Sequence, residues 1–252
     1  MNQKRDPVGV FDSGVGGIST LREMIRELPE ERFVYYGDMA NAPYGTKSTE
    51  EVIACVRGVV DKLLEKQIKA LVIACNTATG AAAATLRTEL SIPVVGMEPA
   101  LKPASKMRKN GAVLVLATPL TLHQEKFENL MKQYGQGAVK VPCPGLMEIV
   151  EADDGAAALR YLQELFSRFD VDKVDAVVLG CTHYVFLKDM IRDLLPERIA
   201  ITDGNAGTAR QLRRVLDREG LLNDEGPGNV DLETSGTERD LELMRKLLVT
   251  SG

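Results

Sequence analysis

No run of about 18 consecutive apolar residues occurs in the 252-residue chain, so the usual signature of a membrane-spanning helix is missing. The opening MNQKRDPVGVFD carries no apolar stretch of the kind that directs export. A soluble, cytoplasmic protein without a membrane partner is therefore expected. No cluster of Lys or Arg stands out, and acidic residues outnumber basic ones 36 to 31. That balance argues against a dedicated nucleic-acid binder. There are only two histidines, and the four cysteines, at 55, 75, 143 and 181, show no CxxC spacing. A structural zinc site lacks its ligand pattern, and a disulfide framework does not suit a long chain with no export signal. Nucleotide fingerprints are missing as well: the glycines of DSGVGG at 12–17 fit neither GxGxxG nor the phosphate-loop spacing.

What is present is a repeated junction. Leu71, Val72, Ile73 and Ala74 read as a short buried strand that runs into Cys75, Asn76 and Thr77, then into the alanine-rich helical run 78–90. In a parallel α/β sheet this is the carboxyl end of a strand, where ligands bind. The pattern recurs at 176–180, where AVVLG delivers Cys181, Thr182 and His183 before a helical stretch expected over 184–195. Each cysteine also follows an earlier strand tipped by a hydroxyl. Ser13, after Val8 to Phe11, lies sixty-two residues before Cys75; Thr118, after Val113 to Leu116, lies sixty-three before Cys181. Two similar α/β lobes follow, each a mainly parallel sheet flanked by helices, each bringing one thiol to a shared cleft. The length suits two such lobes.

Further strands are expected at 33–36, 93–97, 139–141, 199–202 and, as an edge strand, 230–234. Helices are expected at 18–28, 121–133, 145–152, 154–169, 205–219 and 238–248. Ser48 with Glu51 forms a capping box ahead of a helix whose apolar residues Val52, Ile53, Val56, Val59, Val60, Leu63 and Leu64 repeat at helical spacing. The loop 37–45, GDMANAPYG, is too long and particular for a plain connector.

A free cysteine is by default a small buried core residue. Cys75 and Cys181 depart from that default because both occupy strand ends followed by hydrogen-bonding side chains. A thiol with its ordinary pKa is only a few per cent thiolate at neutral pH, so a basic partner is needed. Asp12 is the candidate for Cys75, although it also suits the role of helix cap. His183 with Glu148 is the candidate for Cys181; a helical Glu is ordinarily solvated. Cys55, mid-helix, and Cys143, between Pro142 and Pro144, read as structural. Ser13, Asn76, Thr77, Thr118, Thr121 and Thr182, together with N–H groups at helix starts, would ring the cleft. Such donors suit a small carboxylate-bearing substrate without Lys or Arg, whereas simple capping accounts for only one or two of them.

Five motifs now carry a resemblance: FDSGVGG at 11–17, YGDMANAPYG at 36–45, ACNTAT at 74–79, Thr118 with Thr121, and GCTHY at 180–184. Together they resemble the glutamate racemases of the cofactor-independent aspartate/glutamate racemase family. The resemblance implies a first lobe of residues 1–97 plus 205–252 and a second of 98–204, with the active site between them. It implies Cys75 and Cys181 as the acid/base pair, Asp12 assisting the first, Glu148 and His183 assisting the second. Substrate would be held by Asp12, Ser13, Pro43, Tyr44, Gly45, Asn76, Thr77, Thr118, Thr121, Thr182 and His183. The implied activity is racemisation of glutamate without cofactor or metal, supplying D-glutamate for peptidoglycan; a homodimer is left open. The chain departs from the family's usual pattern at Val185, where proline is common, and at Ala117 and Leu120, where glycines are common. Three rivals share these features: an aspartate or other amino-acid racemase of the same superfamily, a two-lobed amino-acid-binding protein without catalysis, and a dithiol redox protein.

Overall fold

The computed structural model describes residues 3–249; positions 1–2 and 250–252 of the expected first lobe lie outside the described residues. The first half alternates strand and helix: β1 (Val8–Asp12), α1 (Ile18–Glu27), β2 (Arg32–Gly37), α2 (Thr49–Leu64), β3 (Ala70–Ile73), α3 (Asn76–Glu89) and β4 (Val94–Gly96). After the crossing at Glu98 come α4 (Leu101–Met107), β5 (Ala112–Ala117), α5 (Pro119–His123), α6 (Glu125–Tyr134) and β6 (Ala138–Pro142). Then follow α7 (Leu146–Glu151), α8 (Gly155–Phe166), β7 (Val174–Leu179), α9 (Lys188–Leu194) and β8 (Ala200–Asp203). The chain ends with α10 (Asn205–Arg218), β9 (Asn229–Thr234) and α11 (Glu238–Val249).

Two sheets result, one ordered β4-β3-β1-β2-β9 and the other β6-β5-β7-β8. Every strand pairing in both is parallel. Read from the opposite edge, the second sheet runs β8-β7-β5-β6, so the fourth, third, first and second strands of each half stand in the same order. The spacing similarity seen in the sequence is thus a similarity of topology. Each thiol follows the third strand of its half, and each hydroxyl the first. Parallel sheets need cover on both faces. In the first, Val8 and Val10 of β1 pack with Ile18, Leu21, Leu212, Leu216 and Met244 of α1, α10 and α11. Phe11 points to the other face, against Val52, Val56 and Val60 of α2 and Ala82 and Leu86 of α3. The second sheet is covered by Leu146, Leu162, Phe166 and Ile191 on one side and by Leu101, Ala104 and Phe127 on the other.

The capping box is formed: the Glu51 N–H donates to Ser48 Oγ at 3.2 Å and the Ser48 N–H to Glu51 Oε2 at 2.8 Å. β9 takes the edge position beside β2. Three local expectations change. The stretch 101–107, to which the sequence pattern assigns no element, is a helix that contains Pro103. At the third helical position a proline gives up an N–H that would have no intrahelical partner in any case. The helix expected over 121–133 is broken at Gln124, which is extended at φ −70°, ψ 143°. Its side chain instead donates to the Thr77 carbonyl of the other lobe at 2.9 Å. Residues Thr182–Leu187 wind as a tight 3-10 turn and only Lys188–Leu194 is α-helical. The buried Tyr184 pins that turn by donating to the Cys143 carbonyl at 3.0 Å.

Candidate active site

The carboxyl ends of β1 and β3 face those of β5 and β7 across the junction of the lobes. Ser13, Cys75, Asn76 and Thr77 from one side and Thr118, Cys181, Thr182 and His183 from the other wall a single cavity, with Gly45 of the 37–45 loop beside them. Its volume is about 10 Å³, room for roughly one water. The lobes pack closely on one another around it.

Hydroxyls and glycines account for this tight closure. Thr77 Oγ1 lies 3.1 Å from Thr118 Oγ1 and 2.9 Å from Thr121 Oγ1, and Thr118 donates to Thr121 at 2.9 Å, a triangle spanning both lobes. Thr118 also caps α5, accepting the Thr121 N–H. On the far side, Thr182 donates to Asp12 Oδ2 at 3.0 Å. Gly14 and Gly16 make room for the opposing lobe. A Cβ on Gly14 would stand 2.1 Å from Glu151 Oε1, and one on Gly16 would stand 2.3 Å from His183 Nδ1 and 2.4 Å from Thr182 Oγ1. No real side chain tolerates such distances, so the loop must be bare for His183 to sit where it does.

The two thiols have different surroundings. Cys75 is the N-cap of α3: its sulfur receives the Ala78 N–H at 3.4 Å and lies 3.7 Å from Ser13 Oγ. A helix N-terminus favours thiolate. Burial works the other way, and with the charge of Asp12 added it pushes the Cys75 pKa up to about 12, so this sulfur holds its proton. Cys181 lies 3.8 Å from His183 Nδ1, and the other ring nitrogen lies 2.9 Å from Glu151 Oε1. Burial alone would lower the His183 pKa. Hydrogen bonds to Cys181 and Glu151, with their charges, outweigh it and hold the pKa well above the ordinary histidine value. An imidazolium can thus donate on one side to the Glu151 carboxylate and on the other to the Cys181 sulfur. The two sulfurs share a cavity, within electrostatic reach of each other.

Asp12 stands behind the wall, fully buried, accepting the Gly14 N–H at 2.8 Å as well as the Thr182 hydroxyl. Burial raises its pKa to about 6; His183 and the two hydrogen bonds hold it from rising further. Its route to Cys75 is electrostatic. Pro43, which follows a cis peptide bond, and the buried Tyr44 shape the turn carrying Gly45. Asn76 Oδ1 is buried with no hydrogen-bond partner among the described residues. An unpaired acceptor at the cavity wall is suited to a cationic donor such as an ammonium group.

One residue is displaced from its expected place. Glu148 is exposed, and Glu151, one turn further along α7, meets His183. Burial of Leu146 and Met147 sets the rotation of that short helix, turning Glu148 to solvent while Glu151, only 16% exposed, faces the cleft. Met147, another residue not anticipated, is the one long apolar side chain in the cavity wall among the described residues. Cys143 is buried and donates to the Val141 carbonyl at 3.4 Å, outside the wall, and Cys55 lies on α2.

The chain belongs to the Asp/Glu/Hydantoin racemase family, whose sequence pattern matches residues 9–212. The members it is similar to are glutamate racemases. That of Clostridium acetobutylicum is 49% identical over 228 residues, covering 88% of this chain and 89% of the relative. The crystal structure of glutamate racemase isoform RacE1 from Bacillus anthracis superposes with a TM-score of 0.87 at 34% identity, over 96% of this chain and 93% of that one. The Escherichia coli glutamate racemase, solved in complex with L-glutamate and an activator, UDP-MurNAc-Ala, gives 0.84 at 29% identity over 96% and 95%.

Proposed function

We propose that this protein interconverts L- and D-glutamate by a two-base reaction in which Cys75 and Cys181 work from opposite faces of the substrate. The observation that carries the reading is the pairing of these sulfurs, one from each lobe, on the wall of one closed cavity. Likeness to glutamate racemases over nearly the whole chain supports glutamate as the substrate. Racemisation must remove the α-hydrogen from one side and supply a proton from the other. The Cys181 thiolate takes the α-proton and becomes a thiol; Cys75 gives its proton to the opposite face and becomes the thiolate. Charge is conserved, and the roles exchange for the other enantiomer. His183, held by Glu151, steadies the charge on Cys181, and Asp12 adjusts Cys75.

The carbanionic intermediate needs its carboxylate stabilised by donors already in place in a dry site. Ser13, Thr77, Thr118 and Thr182 supply hydroxyls, the first turn of α3 supplies helix N–H groups, and Asn76 Oδ1 receives the ammonium. No step calls on a cofactor. Residues 1–97 with 205–252 and residues 98–204 are taken as the two bodies that part for entry. Their crossings lie side by side, since a Cβ on Gly204 would stand 2.4 Å from the Glu98 carbonyl oxygen. No helix among the described residues is long and apolar enough to cross a membrane, which accords with a cytoplasmic supply of D-glutamate to peptidoglycan synthesis. Circular dichroism of D- and L-glutamate beside D- and L-aspartate tests the reading. Loss of optical activity from both glutamates is expected; turnover of aspartate in preference, or of neither amino acid, would refute it.

A further inference from the structure

A carboxylate buried without a cation is costly unless several donors satisfy it. Asp38, at the end of β2, is only 2% exposed and makes no ion pair among the described residues. Its backbone N–H donates to the Asp12 carbonyl at 3.0 Å, so it stands at the same sheet edge as the active site. Yet it is absent from the cavity wall. Its oxygens are taken by three side chains. The Tyr44 hydroxyl donates to Oδ2 at 2.6 Å, the Ser235 hydroxyl donates to Oδ1 at 2.8 Å, and Asn41 Nδ2 reaches both at 3.0 and 3.1 Å.

Those partners belong to different parts of the chain. Tyr44 opens the turn that carries Gly45, and Gly45 is pressed against the second lobe: a Cβ there would stand 2.8 Å from the Thr118 Cβ. Thr118 is a corner of the hydroxyl triangle described above. Ser235 follows β9, in the segment that returns from the second lobe, and it also accepts the Ala40 N–H at 3.0 Å. Thr234 beside it donates to the Gly37 carbonyl at 2.9 Å. The returning segment thus grips both ends of the 37–45 loop through one carboxylate. Burial, then the bond to Asp38, raises the Tyr44 pKa far above its ordinary value, so the phenol remains a donor.

We infer that Asp38 is a positioning residue for the reaction: by holding Tyr44 on one oxygen and Ser235 on the other, it sets the 43–45 turn against Thr118 and so fixes the substrate end of the closed site without touching substrate. The inference rests on the glutamate racemase reading. It assigns the C-terminal segment a part in substrate affinity as well as in the fold.

The test measures kcat and KM for glutamate in both directions, with the thermal midpoint, for Asp38→Asn, Tyr44→Phe, their double variant and Ser235→Ala. Cutting a charge-assisted hydrogen bond predicts a rise in KM of about 10-fold or more for Asp38→Asn, with a smaller fall in kcat. Tyr44→Phe should behave alike, and the double variant should match the larger single effect because the same bond is lost once. Ser235→Ala should raise KM by roughly 2- to 5-fold. A purely structural role would lower the thermal midpoint and leave KM alone; KM within twofold of wild type in folded Asp38→Asn, or multiplicative effects in the double variant, overturns the inference. Should Asp38→Asn fail to fold, an unchanged KM in Tyr44→Phe overturns it equally. Wild-type turnover of glutamate with unshifted KM in the variants defeats this inference alone, whereas a wild-type protein that does not racemise glutamate defeats both.

Discussion

Replacing Glu151 by Gln should separate the two glutamates of α7 by function. Glu151 accepts from His183 Nε2 at 2.9 Å, with the imidazole 1% and the carboxylate 16% exposed. Gln keeps the size and an acceptor but removes the charge. A hydrogen bond to a charged group is worth roughly 1.5–3 kcal/mol, and the slight exposure of Glu151 places the loss toward the lower end. The His183 pKa, now held up by Cys181 and Glu151, should fall. In rate that is about 10- to 100-fold in kcat/KM. Glu148→Gln, on an exposed side chain, should leave the rate within about twofold. The assay is circular dichroism of both glutamate enantiomers. A second measure is the NMR titration of the His183 ring, whose pKa should be lower in Glu151→Gln than in wild type. Equal losses in the two variants, or a larger one in Glu148→Gln, would refute the assignment of Glu151 as the residue behind His183.

The remaining predictions are briefer. Gly16→Ala places a methyl 2.3 Å from His183 Nδ1, and displacement of a catalytic group on the scale of 1 Å costs about 10²-fold. Gly58→Ala, with nothing within 4 Å of its Cβ in the middle of α2, should keep full activity and gain roughly 0.5–1 kcal/mol of stability in denaturant unfolding. Asp12 has its folded pKa raised from 3.8 to about 6, so the stability it contributes is fully present below the unfolded value and is lost as pH rises through about 6. Asp12→Asn should therefore unfold less readily than wild type above pH 6, by up to roughly 3 kcal/mol, with the difference closing below about pH 4, while racemisation falls. A difference that grows toward acid pH would contradict the sign. Cys55→Ala and Cys143→Ala should retain racemisation in the same circular dichroism assay, Cys143→Ala at a stability cost of about 1 kcal/mol for its buried sulfur.

The sites most legible in the sequence were those where local pattern and chemistry coincide. Cys75 and Cys181 each end an apolar run and precede polar side chains, so period and residue type point to a strand end together. The matching strand order of the two halves stood behind the near-equal spacings from Ser13 and Thr118. Rotation of a short helix was not legible. Glu148 and Glu151 are three residues apart on α7, and which one meets His183 depends on how Leu146 packs in the second core and Met147 in the cavity wall, a tertiary fact. The 3-10 turn at 182–187 was hidden for a related reason. Its residues permit an α-helix, and the bond from Tyr184 to the Cys143 carbonyl, forty-one residues away, decides otherwise. The Asp38–Ser235 contact spans 197 residues and leaves no local trace at all. Gly14 and Gly16, which fit no nucleotide fingerprint, prove to be room for the His183 imidazole of the opposite lobe.

The measurement that bears most directly on the paired sulfurs is α-deuterium uptake in heavy water, with each glutamate enantiomer, by Cys75→Ala and Cys181→Ala. Wild type should place deuterium in the product of both directions. Each variant should lose net racemisation, and any exchange that persists should involve opposite enantiomers in the two, because each remaining sulfur faces one side of the α-carbon. Racemisation surviving in either variant, or exchange of the same enantiomer in both, would contradict the two-base account.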